Sequence, residues 1–367
     1  MTEPEESSAE ALAEREWRLL ARELADPLPA GASVRSAFAR VPRHVFVPSF
    51  YECDGEDHRE VASGDPRWPE AVYADETLTV QIGETPLGPR PASSSTRPSL
   101  MAAMLEALDP APGMRVLEIG TGTGYNAAVL AALLGDEHVV TLDIDPRLSR
   151  AARERLAEAG YRPTVVTGDG AAGCAEHAPY DRVIATHAVE RVPCAWVAQT
   201  RPGGVILADV RSVGAPGIGH LARLTVRGDG TADGGFDVSA PGVFMPDRNG
   251  TGLPHFTGRT GFDLRDASPR RTDLGSGALE DPGFAFALWN ALPDMTLLPG
   301  PQSLLSTPDG SWAIIGAPSD EVRVAGPRDL WAVAESTHSD WRRAGRPGIA
   351  EYRIRVTPHG QRITMPL

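Results

Sequence analysis

The sequence predicts an α/β protein: a doubly wound, mostly parallel seven-stranded sheet, preceded by N-terminal helices and followed by a small C-terminal α+β domain. Three observations predict it. From Met114 onward, apolar runs of strand length alternate with helix-favouring segments, the pattern of a parallel sheet with helices on both faces. The first such junction, VLEIGTGTGYNAAVL from Val116 to Leu130, passes from strand through Gly120, Gly122 and Gly124 into helix, the context a nucleotide-binding βα turn requires. Beyond the linker-like DRNGTG at 247–252, strands and helices no longer alternate regularly.

Composition bounds the class. A chain of 367 residues has room for one large domain and a smaller one, and 41% hydrophobic with 23% charged residues is ordinary for a soluble globular protein. A net charge of −14 disfavours a nonspecific hold on nucleic acid, which needs a basic face, although a local basic patch stays open. Cys53, Cys174 and Cys194 are odd in number and not at metal-ligand spacing, so they read as reduced cytoplasmic thiols with no metal. The start, MTEPEESSAE, is acidic and unlike a signal peptide, and the longest apolar run, AAVLAALLG, is far short of a membrane span. These features predict a cytosolic protein with no nucleic-acid or membrane partner.

In chain order, residues 7–25 place Ala13, Trp17, Leu20 and Leu24 on one helical face, and Val34, Phe38 and Val41 mark a second short helix. Pro42 and Pro48 in VPRHVFVP forbid continued helix. Tyr51 to Glu70 is acidic with Gly64, Pro66 and Pro69, and reads as a surface loop. Ala71 to Ser99 has short extended runs broken by Gly and Pro, too long for an idle turn, and reads as a functional loop. A helix with Leu100, Met101, Met104, Leu105 and Leu108 on its apolar side follows. The expected strands are then Arg115–Ile119, His138–Ile144, Thr164–Thr167, Asp181–Thr186 and, after an RPGG turn, Val205–Val210. Leu221–Val226 and Phe236–Phe244 read as an antiparallel hairpin across GDGTADGG. The tail shows strands near Trp312–Ile315, Val322–Val324 and Tyr352–Val356 and a helix near Asp329–Ser336.

Ligands of such sheets bind at the carboxyl ends of the strands. The glycines let backbone approach a ligand, and the N–H groups of the helix start offer it hydrogen bonds. Glu118 beside the turn would repel a diphosphate and suits a cationic ligand with free ribose hydroxyls. Asp143 ends the second strand about 20 residues past the glycines, the separation expected of an acid that grips ribose; Asp145 is the alternative, since the pair brackets Ile144. Asp169 and Gly170 end the third strand, where they could meet an adenine edge or form an ordinary Asp-Gly turn. His187, just past the fourth strand, lines the pocket or caps a helix.

EIGTGTG resembles the first motif of class I S-adenosylmethionine-dependent methyltransferases, whose Rossmann-like fold wraps this turn around the methionine part of the cofactor. The resemblance implies S-adenosyl-L-methionine as cofactor, S-adenosyl-L-homocysteine as product, and contacts from Glu118, Gly120, Thr121, Gly122, Gly124, Tyr125, Asp143, Ile144, Asp169, Gly170 and His187. From about Ser33 to Arg248 the chain further resembles the protein-L-isoaspartate O-methyltransferase family, through VPRHVFVP, SSTRPS, VLEIGTGTGYNAAVL, GDGAAG, APYDRVIAT and RPGG. In that family the loop before the sheet closes in Thr-Ile-Ser-Xaa-Pro, with its serine beside the transferring methyl. Here the closing residues are Ser94, Ser95, Thr96, Arg97 and Pro98, so the key hydroxyl is Thr96 and Val80 to Ala92 also departs from the pattern.

A narrower resemblance is to members of this family found beside ATP-grasp, lasso-peptide or lanthipeptide genes, through PASSSTRPSL, THAVERVPCAWVAQTRPGG and RIRVTPHGQRI. It implies methylation of an Asp side chain in a ribosomally made, constrained peptide, with collapse of the ester to an aspartimide. This is the expectation preferred here over repair of isoaspartyl damage. A small-molecule methyltransferase or a noncatalytic binding protein are further alternatives. The carboxylate acceptor is ionised at pH 7 and needs no general base, so catalysis would rest on orientation by Thr96 and Ser95, with Arg97 pairing with it or serving packing. The implied organisation is an N-terminal helical segment and loop at 1–70, the methyltransferase domain at 71–248 and a substrate-recognising domain at 249–367.

Overall fold

The computed structural model describes residues 15–54, 57–85, 88–215, 217–237, 244–246, 267–300, 302–316 and 320–366. Its contacts fall into two units, Met1–Thr186 with Ala195–Leu207, and His187–Cys194 with Ala208–Leu367. The expected linker at 247–252 and the start of the first helix at residue 7 lie outside the described residues.

The first unit opens with helices α1 (15–25), α2 (Ala32–Arg40) and α3 (Arg43–Phe46). Two strands, β1 (Ser49–Asp54) and β2 (Asp57–Ala62), replace the surface loop expected over Tyr51–Glu70. Their acidic composition hid an alternation in which Phe50 and Val61, cross-strand partners, are buried. The short helix α4 (Trp68–Val72) follows. The segment expected as a loop before Ser99 is a second hairpin, β3 (Leu78–Gly83) and β4 (Arg90–Ser95), its register broken by a bulge near Gln81. The sheet order is β2-β1-β3-β4.

Helix α5 (Pro98–Leu108) buries Leu100, Met101, Met104, Leu105 and Leu108, the predicted face. Strands β5 (Val116–Ile119), β6 (Val139–Asp143), β7 (Thr164–Thr167) and β8 (Tyr180–Val189) pair in parallel in the order β8-β5-β6-β7, with β9 (Thr200–Arg211) beside β8. All residues of β5 and β6 are buried, as a parallel strand covered on both faces must be. Helix α6 (Tyr125–Leu134) follows β5; α7 (Pro146–Glu158) follows β6, with Pro146 in its first turn and Asp145 accepting from Arg147 N at 2.9 Å; α8 (Cys194–Gln199) precedes β9. The expected RPGG turn is part of β9.

In the second unit, β10 (Gly219–Val226) and β11 (Ala232–Asp237) form an antiparallel hairpin, with ADGG inside the second strand rather than in the turn; of the second strand expected over Phe236–Phe244, residues 238–243 lie outside the described residues. Gly234 explains this: a Cβ there would stand 1.9 Å from Arg223 O, so only glycine permits the close strand pairing. A five-stranded antiparallel sheet holds β12 (Ser268–Arg271), β13 (Thr296–Leu298), β14 (Gln302–Ser306), β15 (Trp312–Gly316) and β16 (Glu321–Ala325), in the order β12-β16-β15-β14-β13. Helix α9 (Pro282–Ala291), unread in the sequence because it is apolar on all sides, is started by Asp281, which accepts from Gly283 N and Phe284 N. Helix α10 (Leu330–Arg343) packs on it, and Phe284 meets Trp341 at a ring-centre distance of 5.8 Å.

The last strands, β17 (Arg353–Thr357) and β18 (Gly360–Thr364), form a hairpin, and β17 pairs with β11. Residues on both sides of position 248 therefore share one ladder. The seven-stranded, mostly parallel sheet is corrected accordingly: strands in these units form mixed parallel and antiparallel sheets, because the tail returns to pair with β11.

Candidate functional site

The glycine turn sits at the carboxyl end of β5. Gly120, Gly122 and Gly124 have φ of 102°, 52° and 89°, conformations that a side chain would strain. Gly120 N and Thr121 N donate to Leu142 O, and Thr186 Oγ1 donates to Gly120 O at 2.7 Å, so neighbouring strands fix the turn from both sides. Thr186 was not singled out in the sequence; a lone hydroxyl at a strand end is its only signal.

Asp143 ends β6 and binds the turn directly. Its Oδ2 accepts from Gly122 N at 2.8 Å and its Oδ1 from Asp145 N at 3.0 Å. Asp145 is committed elsewhere, capping α7 and accepting from Gln81 Nε2 of β3 at 3.0 Å. Burial alone would raise the Asp145 carboxyl, but hydrogen bonds from Arg147 and Gln81 and the charge of Arg147 hold it well below the usual carboxylate range. Between these two buried acids Ile144 is 36% exposed, one of few large apolar side chains so placed among the described residues. The third strand's turn lies alongside: Gly168 N donates to Asp143 O, Asp169 is exposed and accepts from Ala171 N, and Trp196, fully buried, donates to Gly170 O at 2.7 Å.

Glu118 is placed differently from a ligand-facing acid. It is fully buried in β5, accepting from Asn126 Nδ2 and from Thr141 Oγ1, each at 2.6 Å. Burial pushes its carboxyl up to about 7, against the lowering effect of those bonds and with a small rise from Asp143. Thr121 Oγ1 meets Thr141 Oγ1 at 2.7 Å, extending the network under the turn. Tyr125 opens α6 with its ring buried against Phe38 and Phe46. His187 lies within β8 rather than past its end, half-exposed, and belongs to the second unit.

The serine run reaches the same place from β4. A Cβ at Gly122 would stand 3.7 Å from both Ser93 Oγ and Ser94 O, so this strand lies in contact range of the turn. Ser95 is buried, while Thr96 is half-exposed and its hydroxyl has no partner among the described residues. Arg97 stands at the N-cap of α5, its backbone N donating to Thr77 Oγ1 at 3.2 Å.

One residue organises this edge and went unread inside VPRHVFVP. Arg43 is fully buried, and its guanidinium donates to Val72 O (3.0 Å), Ala74 O (2.8 Å) and Glu76 O (2.9 Å), with longer bonds to Ser95 O, Ser95 Oγ and Thr96 O. Its Cζ lies 5.7 Å from the centre of the Tyr125 ring. A single cation thus stands between the helix that leaves the glycine turn and the backbone that carries Thr96.

A glycine turn held by an acid, with a hydroxyl-bearing strand end pressed against it, is a site for a small ligand and an oxygen acceptor together. The model of the family described as Protein-L-isoaspartate(D-aspartate) O-methyltransferase (PCMT) matches residues 16–230, which takes in all of these pieces. The chain belongs to that family. It is a carboxyl O-methyltransferase, and the family's dependence on S-adenosyl-L-methionine identifies the methyl donor.

Among similar proteins, the protein-L-isoaspartate O-methyltransferase of Ignicoccus hospitalis is 36% identical over 213 residues, 58% of this chain and 88% of that protein. That of Methanothermobacter thermautotrophicus is 38% identical over 182 residues, 49% of this chain and 72% of the other. A solved protein-L-isoaspartate O-methyltransferase superposes with a TM-score of 0.57 at 20% identity, covering 95% of this chain and all of that one, a likeness of fold.

The residues fit the donor. Ile144 is an exposed apolar side chain next in sequence to Asp143, and the three positive-φ glycines carry no side chain that would hinder close approach to the turn. No helix of the described residues is long and apolar enough to cross a membrane. Cys53 and Cys194 are exposed free thiols and Cys174 a buried one.

Proposed function

We propose that this chain methylates the free α-carboxylate of L-isoaspartyl residues in proteins or peptides. The observation that carries the reading is the family match over residues 16–230, within which β4 lies in contact range of the glycine turn at Gly122. This departs from the preference stated from sequence for a constrained peptide. In the proposed roles, Asp143 holds the ribose hydroxyls, Ile144 and the Asp169–Gly170 turn face the adenine, and Gly120, Thr121, Gly122 and Gly124 line the methionine end. Glu118 and Tyr125 act through the turn they support, because their side chains are buried beneath it.

S-adenosylmethionine supplies an electrophilic methyl on a sulfonium sulfur. The Thr96 hydroxyl donates to one acceptor oxygen and leaves a lone pair on the other free to take the methyl. A second full hydrogen bond or a two-point guanidinium would quench that nucleophile, so Arg97 serves better at the pocket rim than as a clamp. No proton is removed, since the acceptor is already ionised. The methyl ester then closes by itself: the following backbone nitrogen attacks the ester carbonyl, loses its proton and expels methanol, leaving a succinimide that water reopens to Asp or isoAsp.

A second reading keeps the internal Asp of a constrained ribosomal peptide as acceptor, with the aspartimide persisting. It is favoured by the serine run Ser93–Ser95 and by residues 231–367, which the family match leaves outside. Competition assays separate the two: one isoaspartyl peptide and one ring-constrained Asp peptide of equal length, with tritiated methyl donor and mass analysis. Preference for the isoaspartyl peptide supports the first reading; a stable product one water lighter from the constrained peptide refutes it. Thr96→Ala should lower turnover about fivefold with little change in donor affinity. An unchanged rate would remove Thr96 from the acceptor site.

A further inference from the structure

The second unit carries a feature that methyl transfer does not use. In a chain of net charge −14, residues 341–367 hold six arginines and one acidic side chain, Glu351. Three of the six are gathered on one face of the β17–β18 hairpin. Along β17, Ile354 and Val356 are buried while Arg353 and Arg355 are exposed, and Arg362 of β18 is exposed directly opposite Arg355. Arg223 of β10 extends the same face, since it and Arg353 are both cross-strand partners of Gly235. Like charges directly opposite destabilise a ladder, so local stability does not account for Arg362. The acids on this face, Asp233 and Asp229, lie 3.6 and 3.8 Å from Arg355, and Asp233 also pairs with Arg227. Arg362 has no ion-pair partner among the described residues.

Among the described residues the hairpin also ends its sheet, with β18 as the outermost strand. Thr357 and Gly360 close a two-residue turn, and the alternation of an antiparallel ladder then directs the backbone groups of Gln361 and Ile363 away from β17. One of them is occupied: Asn290 Nδ2 donates to Ile363 O at 2.9 Å. The Gln361 side chain turns aside to bind Val192 N and Glu190 O. Along this edge runs a cavity of about 800 Å³, lined by Asn290 and by Gln361 to Met365. Among the described residues, a strand edge with no further strand beside it, a cleft along it and the exposed Arg362 on its outer face, with Arg355 opposite, together describe a receptor.

We propose that β18 receives an acidic polypeptide segment in extended conformation, added as a further strand, with a carboxylate on Arg362. Backbone pairing at Gln361 and at Ile363 N supplies binding that does not depend on sequence, and Arg362 selects for Glu or Asp on one face of the incoming strand. A polypeptide suits the site better than a nucleic acid, because a phosphodiester backbone has no N–H and C=O alternation to match a strand edge. The net negative charge of the whole chain opposes a phosphate polymer as well.

The test uses the full chain and a fluorescein-labelled (Glu-Val)4 peptide, followed by anisotropy at low and physiological salt. The expected result is saturable binding that falls with salt and is lost for (Lys-Val)4. Arg362→Glu, at an exposed position and with its folding verified by circular dichroism, should weaken binding about fivefold, and Arg353→Glu, whose side chain lies over Gly235 of β11, should weaken it less. N-methylating alternate amides of the peptide, which leaves the protein untouched, should weaken it about tenfold in one of the two possible phases and not in the other. The proposal is overturned if (Glu-Val)4 does not bind, if binding ignores Arg362→Glu, or if both N-methylated peptides bind like the parent. It is equally overturned if (dT)12 binds more tightly than (Glu-Val)4 and loses affinity with Arg362→Glu, which would make the face a nucleic-acid surface. Methyl transfer enters none of these readouts, so this idea and the isoaspartyl reading stand or fall separately.

Discussion

Glu118→Gln should stabilise the protein at alkaline pH and leave it unchanged at acid pH. The carboxyl is fully buried, and burial raises it from 4.5 to about 7. Because the folded state holds this proton more tightly than the unfolded chain, the stability it contributes is fully present below about pH 4.5. It is lost as pH rises through about 7. The displacement corresponds to about 3 kcal/mol, the amount by which ionised Glu118 burdens the fold above neutrality. Glutamine mimics the neutral acid in shape. Its amide can also donate to Asn126 Oδ1, a buried acceptor with no partner among the described residues, once the Asn126 amide turns over. Urea unfolding of both proteins from pH 5 to pH 8.5 isolates the effect, because every other titrating group cancels in the difference. The stability difference should be about 1 kcal/mol at pH 5 and grow to about 3 kcal/mol in favour of the variant by pH 8.5. A difference that stays constant with pH would show that Glu118 does not titrate in this window, and the desolvation argument would fail.

Arg43→Met leaves three close carbonyl acceptors, of Val72, Ala74 and Glu76, without their donor. It should cost about 3 kcal/mol in urea unfolding, with faster hydrogen exchange around Val72–Thr77 and Ser95–Thr96; a loss below about 1 kcal/mol would deny the residue its organising role. Asp143→Ala should weaken S-adenosylhomocysteine binding by about 2 kcal/mol in calorimetry, through lost charge-assisted bonds and a loosened Gly122 turn. Unchanged affinity would remove Asp143 from the ribose. Gly234→Ala should disrupt the second unit, since its Cβ would overlap Arg223 O, and a melting temperature equal to the parent's would contradict that strand pairing.

What was legible in the sequence was whatever local pattern alone decides. VLEIGTGTGYNAAVL announces a buried strand, a turn that needs positive φ and a buried helix, and each of those demands is written in neighbouring residues. Asp143 was legible for the same reason: its distance along the chain from the glycines follows from the length of one helix and one strand. The failures share a different cause. The hairpins β1–β2 and β3–β4 are polar and rich in breakers, and they exist because each strand finds partners, not because either strand has the propensity to stand alone. Arg43 was invisible as an organiser because its work is done on carbonyl oxygens at positions 72–76 and 95–96, which leave no side-chain signature. The tail that returns to pair β17 with β11 could not be read either, since an antiparallel partner more than 100 residues away imposes only alternation on the strand it joins. That pairing changes how the second unit can be dissected. A cut near Arg248 would strip β11 of its neighbour and expose the inner faces of Ile354 and Val356's former partners, so a lost activity would report misfolding as readily as lost recognition. Charge reversal at Arg362 leaves every ladder bond in place, and is for that reason the sharper instrument for asking what the C-terminal residues recognise.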